Sequence, residues 1–181
     1  MYGMINEAMR RHVGETAGAD AWERIASRAD APSSYASMHY YDDAVTYALI
    51  GAASVELDIP AQDLLRSFGR YWSLRVGPEN YADILGATGT DVISVLTHLD
   101  EMHARLQVLY PELRPPSFTL VDDGAASFDV HYTSERVGLA AFVVGLLEGL
   151  GELYGTPAKV VHVIDATVDR PSDVFRVSLE S

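Results

Sequence analysis

Apolar residues in the first 110 positions recur mostly at steps of three and four, the period of one face of an α-helix. The pattern predicts helices over residues 2 to about 13, 20–28 and 42–56, with a loop over 29–41. Asp42 and Asp43 suit the amino-terminal cap of the third helix, and Pro60 suits the first turn of a fourth. We therefore expect the first half of the chain to be nearly all helical.

The stretch over residues 91–110 predicts the central helix of the protein. His103 falls on its apolar stripe, whereas Asp100, Glu101 and Arg105 fall elsewhere on the helical wheel. A neutral imidazole on a buried face needs a partner, which is either a backbone carbonyl or side chain, or a metal ion. The stripe itself consists of Val92, Leu96, Leu99, Leu106 and Tyr110.

After the prolines at positions 111, 115 and 116, apolar residues recur more nearly at every second position, as in a β-strand. Strands are predicted over residues 117–121 and 127–132, and again over 158–167 and 174–179, with a long helix over 137–154 between the pairs. Asp122-Asp123-Gly124 and Asp169-Arg170-Pro171 are typical of hairpin turns. The predicted fold class is α+β, with a helical amino-terminal half and a four-stranded antiparallel sheet in the carboxyl-terminal half.

Composition narrows the classes of function. The chain has 13 Lys and Arg against 26 Asp and Glu, so its net charge of −13 disfavours nucleic acid and anionic membranes as partners. The absence of cysteine excludes disulfides, iron–sulfur clusters and thiolate-held haem or zinc. No signal peptide is evident, and the longest apolar run, over residues 137–147, is too short to span a bilayer. We expect one soluble, cytoplasmic domain.

Six histidines are candidate ligands, but their spacing predicts no two-histidine metal site on the central helix. His98 precedes His103 by five residues, so the two rings lie ~140° apart on the wheel. If His103 is the sole protein ligand of a metal, a porphyrin must supply the other ligands. His12, His39 and His98 lie in polar surroundings and are expected at the surface.

Tyr132, Ser134 and Arg136 form a second candidate group. In an extended chain these alternate residues project to one side, where a guanidinium and hydroxyls can hold the two carboxylates of haem. The alternative is a strand leading into a helix, with Ser134 as its cap. In the following helix, Gly138, Gly145, Gly149 and Gly151 indicate close approach by another element or a flat ligand.

Several motifs together resemble the haem nitric oxide/oxygen-binding (H-NOX) family, which includes the haem domain of soluble guanylate cyclase. They are the opening MYG and IN, the LD..H of Leu99, Asp100 and His103, the RPPSF turn from Arg114, the Tyr-x-Ser-x-Arg at 132–136, and VGL followed by GLLEG. The resemblance covers residues 1 to about 155. It implies a stand-alone bacterial H-NOX domain over residues 1–181, helical to about residue 60 and haem-ligating from 61 to 181.

The resemblance implies haem b (iron protoporphyrin IX) with His103 as the iron ligand and a propionate clamp of Tyr132, Ser134 and Arg136. It puts Pro116, Ile5 and Leu146 against the porphyrin, and Met9, Trp72 and Phe142 on the distal side. Oxygen-binding members carry a distal tyrosine where this chain has Phe142, although the indole N–H of Trp72 remains an alternative donor.

The implied function is a non-enzymatic gas sensor that binds nitric oxide and carbon monoxide at ferrous haem and excludes oxygen. Nitric oxide is expected to weaken the His103 bond and free the central helix. Family members signal to histidine kinases or cyclic-di-GMP enzymes, and the sequence does not choose between them. Two alternatives are a haem enzyme, such as a peroxidase or nitric oxide dioxygenase, and a cofactor-free interaction domain.

Overall fold

The computed structural model describes residues 1–122, 127–167 and 171–180. Its α+β fold and four-stranded antiparallel sheet confirm the predicted fold class. The predicted turn residues Asp123, Gly124, Asp169 and Arg170 lie outside the described residues. The helices are α1 (Gly3–Ala17), α2 (Ala19–Arg28), α3 (Asp43–Leu57), α4 (Ala61–Tyr71), the π-helix π1 (Trp72–Val76), α5 (Gly77–Thr88), α6 (Val92–Leu109) and α7 (Ala140–Leu153). The strands are β1 (Ser117–Asp122), β2 (Ser127–Thr133), β3 (Ala158–Ile164) and β4 (Ser172–Leu179).

The chain divides into two compact units, Met1–Phe68 and Gly69–Ser181, with the boundary inside α4. In the first unit, α2 packs against both α1 and α3. The side chain of Asp42 caps α3 by accepting a hydrogen bond from the Ala44 N–H at 2.8 Å, as the sequence predicts. The core of this unit contains fully buried apolar side chains from all three helices: Met9, Val13, Trp22, Ile25 and Leu49.

His12 was expected at the surface, and this prediction is wrong: its residue is only 6% exposed. Its Nε2 lies 2.9 Å from the Ser67 hydroxyl, and its ring stacks on Phe68 with a centroid distance of 6.1 Å. The prediction failed because it rested on the polar neighbours of His12 in the sequence, Arg10 and Arg11 among them, whereas the His12 ring faces the interior. Burial lowers the pKa of His12, and Glu15 opposes this effect weakly.

We expect His12 to make the first unit sensitive to acid. A histidine whose folded pKa lies below its unfolded value contributes its full stability above the unfolded pKa of ~6.5, and this stability is lost as the pH falls from there through the lower folded pKa. Urea denaturation at pH 7.5 and 5.5 measures the difference in unfolding free energy. The difference should shrink in His12→Asn, and an unchanged difference would contradict the prediction.

In the second unit, α4 runs into π1 without a cap, and α5 follows directly. Tyr81 has φ −135° and ψ 25°, so it bends α5 within its second turn. The sequence pattern predicted one helix over the α4–π1 region and did not anticipate the π-helix. Asp91 begins α6 in a capping box, because its side chain accepts from the Ser94 N–H and the Ser94 hydroxyl accepts from the Asp91 N–H.

The sheet has the order β1-β2-β4-β3, and all neighbouring strands are antiparallel. Every second residue of β2, namely Phe128, Val130 and Tyr132, is buried. Val130 pairs with Phe175 and Phe128 pairs with Val177, so the buried residues of β2 and β4 share one register. Helix α6 packs on β1, whereas α7 packs on β3 and β4.

Helix α7 begins at Ala140, three residues later than predicted. Gly138 adopts φ +76° before the helix, where glycine avoids the strain of a Cβ, and Val137 is 81% exposed. Gly149 lies inside α7, and a Cβ there would come within 2.9 Å of the Arg70 carbonyl oxygen. A Cβ on Gly69 would in turn collide with the carbonyl of Phe142. Close helix approach therefore accounts for Gly149 and Gly69, whereas the positive φ accounts for Gly138.

No single described helix is long and apolar enough to cross a membrane. Helix α3 and the stretch from Ala61 to Thr88 reach the length and apolar composition of a membrane span only when they are taken together, and the chain is bent between them.

Candidate functional site

Helix α6 presents His103 towards the segment that enters β1. The ring Nδ1 lies 3.1 Å from the carbonyl oxygen of Pro116 and the side chain is only partly exposed. Because a carbonyl can only accept, Nδ1 must carry the proton in this contact, which leaves Nε2 with a free lone pair. Nε2 has no hydrogen-bond partner among the described residues.

These features fit a histidine that holds iron. A metal-binding imidazole commonly donates its other N–H to a backbone carbonyl, which fixes the tautomer and the ring orientation. Burial lowers the pKa of His103, while the Asp100 carboxylate and the Pro116 carbonyl oppose this effect. The neutral ring that iron requires is therefore the favoured form.

Asp100, one turn before His103, is exposed as expected, but its assignment to another face of α6 than His103 is wrong, because both side chains contact the chain that leads into β1. Its Oδ1 accepts from the Phe118 N–H at 2.9 Å, and its Oδ2 accepts from the Ser117 hydroxyl at 2.5 Å. The carboxylate thus ties α6 to the first residues of β1. Asp100 is part of the LD..H motif, but the sequence does not show that its carboxylate contacts the start of β1.

Asp100→Ala should therefore destabilise the protein by about 1–2 kcal/mol. The change removes a charge-assisted bond and leaves the Phe118 N–H without its partner. Urea denaturation measures the loss, with Glu101→Ala as a control because Glu101 is the exposed neighbour on the same helix. Equal stability of the two variants would show that the contacts of Asp100 contribute nothing.

Gln107, one turn after His103, also contacts the returning chain. Its Nε2 donates to the carbonyl oxygen of Leu113 at 3.1 Å. Sequence analysis did not single out Gln107, because an exposed glutamine near a helix end carries no periodic or motif signal. Its contact depends on the turn at 110–113, in which the Leu113 N–H donates to the Tyr110 carbonyl.

Tyr132 lies on the buried side of β2 and is 4% exposed. Phe118 connects it with the histidine helix: the ring centroid of Phe118 is 5.2 Å from that of Tyr132 and 6.3 Å from that of His103. Phe118 and Tyr132 are also register partners in neighbouring strands. The structure therefore brings Tyr132 and His103 into one aromatic cluster.

Ser134 and Arg136 do not continue the extended strand that the sequence predicts. Strand β2 ends at Thr133, and the chain bends after it. The alternation of an extended chain therefore does not determine the directions in which Ser134 and Arg136 project. The Ser134 hydroxyl accepts from the Arg136 N–H at 3.1 Å and so orders this bend. The alternative role of Ser134 as a helix cap is also wrong, because Leu139 occupies the N-cap of α7.

The guanidinium of Arg136 is oriented by the chain that precedes β1. Its Nη1 donates to the Arg114 carbonyl at 2.8 Å, and the Arg114 side chain pairs with Glu135 at 3.1 Å. A guanidinium carries five N–H donors in a planar fork, a geometry that suits carboxylates. The partly exposed Arg136 is thus held near the segment that also contacts His103.

The predicted distal residues Trp72 and Phe142 and the predicted porphyrin contact Leu146 lie on facing elements of the second unit. Phe142 and Leu146 are one turn apart on α7, and Trp72 begins π1. The Ser73 hydroxyl donates to the Leu146 carbonyl at 2.8 Å, which fixes π1 beside this stretch of α7. All three side chains predicted to line the site are partly exposed.

The remaining predicted site residues are distributed over both units. Pro116 belongs to the second unit, and its carbonyl accepts from His103. Ile5 and Met9 lie one turn apart on α1 in the first unit, where Met9 is 1% exposed and Ile5 is half-buried. Their contact with the porphyrin stays a prediction.

His162 contacts carboxylates rather than the histidine helix. Its Nε2 lies 2.8 Å from Asp173 Oδ1, which also accepts from the Ala166 N–H at 3.1 Å. Its ring stacks on Phe175 with a centroid distance of 4.7 Å. Asp173 therefore orders the chain that leaves β3.

Comparison with known proteins gives a family match over most of the chain. The model of the haem-NO-binding family matches residues 2–162. The chain is 28% identical over 180 residues to soluble guanylate cyclase gcy-35 of Caenorhabditis elegans, covering 97% of this chain and 26% of that protein. It is 27% identical over 173 residues to soluble guanylate cyclase 89Da of Drosophila melanogaster, covering 93% and 26%. The chain thus spans about a quarter of the length of these relatives.

Solved structures share the fold. An H-NOX protein from K. algicida in the Fe(II) unliganded state superposes with a TM-score of 0.85 at 22% identity, over 100% of this chain and 97% of that one. An H-NOX protein from S. oneidensis in the Fe(II)NO ligation state gives a TM-score of 0.88 at 20% identity, over the whole of both chains.

Proposed function

The chain belongs to the haem-NO-binding family, and from this premise we propose that it is a sensor that binds nitric oxide at a ferrous haem b held by His103. Carbon monoxide is a second ligand and oxygen is excluded. The observation that carries the proposal is the Nδ1 contact of His103 with the Pro116 carbonyl, which leaves Nε2 available. A bound ferrous haem supplies the open coordination position at which a diatomic gas is captured.

The chain's own residues orient the group. His103 provides a neutral imidazole whose tautomer is fixed by Pro116. Arg136 provides guanidinium donors for a propionate, and Ser134 orders the bend from which Arg136 projects. We assign the phenol of Tyr132 to the same propionate clamp. We assign the apolar contacts with the porphyrin to Pro116, Ile5 and Leu146.

Gas selectivity follows from the distal residues Met9, Trp72 and Phe142. Retention of oxygen requires a hydrogen-bond donor, whereas nitric oxide and carbon monoxide do not depend on one. Neither Met9 nor Phe142 has a donor, so an apolar distal side favours nitric oxide and carbon monoxide. Trp72 does have a donor, its indole N–H, so the proposal requires that this N–H points away from the bound gas.

Phe142→Tyr should therefore strengthen oxygen binding. The change adds one phenolic donor with little change in volume, and a well-directed hydrogen bond contributes about 1 kcal/mol, or about fivefold in affinity. Oxygen and carbon monoxide affinities of the ferrous protein should be measured together, with Phe142→Leu as a control that adds no donor. An equal change in both affinities would mean that the effect is steric.

We assign the protein a signalling role without catalysis, in which a separate histidine kinase or cyclic-di-GMP enzyme of a bacterial cytoplasm is the effector. The alternative class is a haem enzyme, such as a peroxidase or nitric oxide dioxygenase. Such enzymes need a polar acid or base beside the iron, and Met9 and Phe142 cannot serve.

The test is the absorption spectrum of the purified reduced protein in the presence of nitric oxide, carbon monoxide and air in turn. The proposal expects a haem spectrum that changes with nitric oxide and with carbon monoxide, and no stable oxygen complex in air. A colourless protein, whether or not haem is supplied, would favour a cofactor-free domain. A stable oxygen complex would refute the selectivity, and Trp72→Phe would then show whether the indole is its donor.

A further inference from the structure

Three polar side chains on one face of α6 hydrogen-bond the chain that returns alongside it. Asp100, His103 and Gln107 are separated by steps of three and four, so they project from the same side of the helix. Their partners occur in reverse order along the returning chain: Asp100 with Ser117 and Phe118, His103 with Pro116, and Gln107 with Leu113. The residues 113–118 are therefore fastened to α6 at both ends and in the middle; we call them the return segment.

The return segment also contacts the bend after β2. The Arg114 carbonyl accepts from Nη1 of Arg136 at 2.8 Å, and the Arg114 guanidinium pairs with Glu135 at 3.1 Å. Arg114 directly follows Leu113, the residue whose carbonyl Gln107 holds. The carbonyls that accept from Gln107 and from Arg136 therefore belong to consecutive peptide units, which are joined at the Cα atom of Arg114.

The return segment has little freedom to absorb a displacement of either peptide unit. Pro115 and Pro116 follow Arg114, and each proline ring fixes φ near −65°. The Phe118 N–H is held by Asp100 at 2.9 Å at the other end. The contacts of Gln107 and Arg136 thus share a short, stiff stretch of backbone.

We propose that Gln107 is a positioning residue for the haem: by holding the Leu113 carbonyl, it fixes the Arg114 carbonyl where it directs Arg136 towards a propionate. This inference rests on the proposed function. The competing explanation is local, namely that Gln107 merely stabilises the turn in which the Leu113 N–H donates to the Tyr110 carbonyl. The two explanations differ in whether the effect of Gln107 passes through Arg136.

The experiment is a double-mutant cycle on haem loss from the full haem-loaded chain. Gln107→Leu removes the amide, and Gln107→Glu removes the donor while keeping the shape. Each should speed transfer of haem to an excess of apomyoglobin by about two- to fivefold, the effect of one exposed neutral hydrogen bond. In the background of Arg136→Ala, where the guanidinium is missing, neither change should speed haem loss further. Gln62→Leu, on the exposed part of α4, is the matched control and should not change the rate.

Amide hydrogen exchange over residues 112–118 provides a readout that does not depend on gas binding. Gln107→Leu should raise exchange at Leu113 and Arg114, while the Phe118 amide, held by Asp100, keeps its protection. Faster haem loss of equal size with and without Arg136 would overturn the proposal in favour of the local explanation, and an unchanged rate in Gln107→Leu would overturn it as well. If the unmodified chain binds haem and nitric oxide, either result refutes only the role of Gln107. A failure of the unmodified chain to bind haem refutes the proposed function, and this inference with it.

Discussion

His103→Gly should yield a protein that retains haem poorly until free imidazole is supplied. Loss of a partner outside the coordination sphere typically lowers metal affinity by ~10- to 100-fold, so loss of the only proposed protein ligand should cost at least as much. Glycine leaves a cavity the size of the lost ring, and the Pro116 carbonyl that accepted from His103 Nδ1 remains available to accept from imidazole. Titration of the purified variant with haem, with and without imidazole, measures both effects.

The matched control is His98→Gly on the same helix. His98 is exposed, and its Nδ1 contacts the Ser94 carbonyl one turn earlier, so this change makes the same replacement in the same helix, at a similar cost in helix propensity, without touching the site. His98→Gly should bind haem normally. Normal haem binding and an unchanged spectrum in His103→Gly would show that the ligand lies elsewhere.

Arg136→Ala should accelerate haem loss more than Ser134→Ala does. A charge-assisted contact with a propionate contributes ~1.5–3 kcal/mol, which corresponds to about a 10- to 150-fold faster loss. Ser134 accepts from the Arg136 N–H at 3.1 Å, so its replacement loosens the bend and removes a neutral hydroxyl, for which ~1 kcal/mol, or about fivefold, is expected. Rates of haem transfer to apomyoglobin give the comparison directly.

Arg105→Ala is the control for loss of an arginine, because Arg105 is exposed on α6 and its change leaves the return segment intact. Its haem-loss rate should match that of the unmodified protein. Equal, negligible losses in Arg136→Ala and Ser134→Ala would instead mean that these residues serve only to order the chain between β2 and α7.

The sequence predicts the elements well where one local signal decides the structure. The step pattern of Val92, Leu96 and the later apolar residues identifies α6 to within a residue at each end, because helix period is a local property. The change to a period of two likewise predicts β2, in which Phe128, Val130 and Tyr132 prove to be buried. These signals sufficed to identify the α+β fold and to give His103 a partly buried position.

The contacts that order the site could not be predicted in the same way, because they join residues distant in sequence. Nothing in the period of α6 shows that Asp100 and Gln107 meet the return segment, since that requires the path of the chain after Tyr110. The bend at Ser134 departs from the extended chain that alternate residues suggest. His12 shows the converse error: polar neighbours in sequence concealed a buried environment that Ser67 and Phe68 create.

The most direct test of the account is resonance Raman spectroscopy of the reduced, unliganded protein. We expect an iron–histidine stretching band that shifts when the protein is labelled with ¹⁵N-histidine, that is retained in His98→Gly and that is missing from His103→Gly. Added imidazole should give His103→Gly an iron–imidazole band that does not shift with the histidine label. A ferrous haem whose band persists unchanged in His103→Gly, or a ferrous spectrum with no iron–histidine band at all, would contradict the claim that His103 holds the iron.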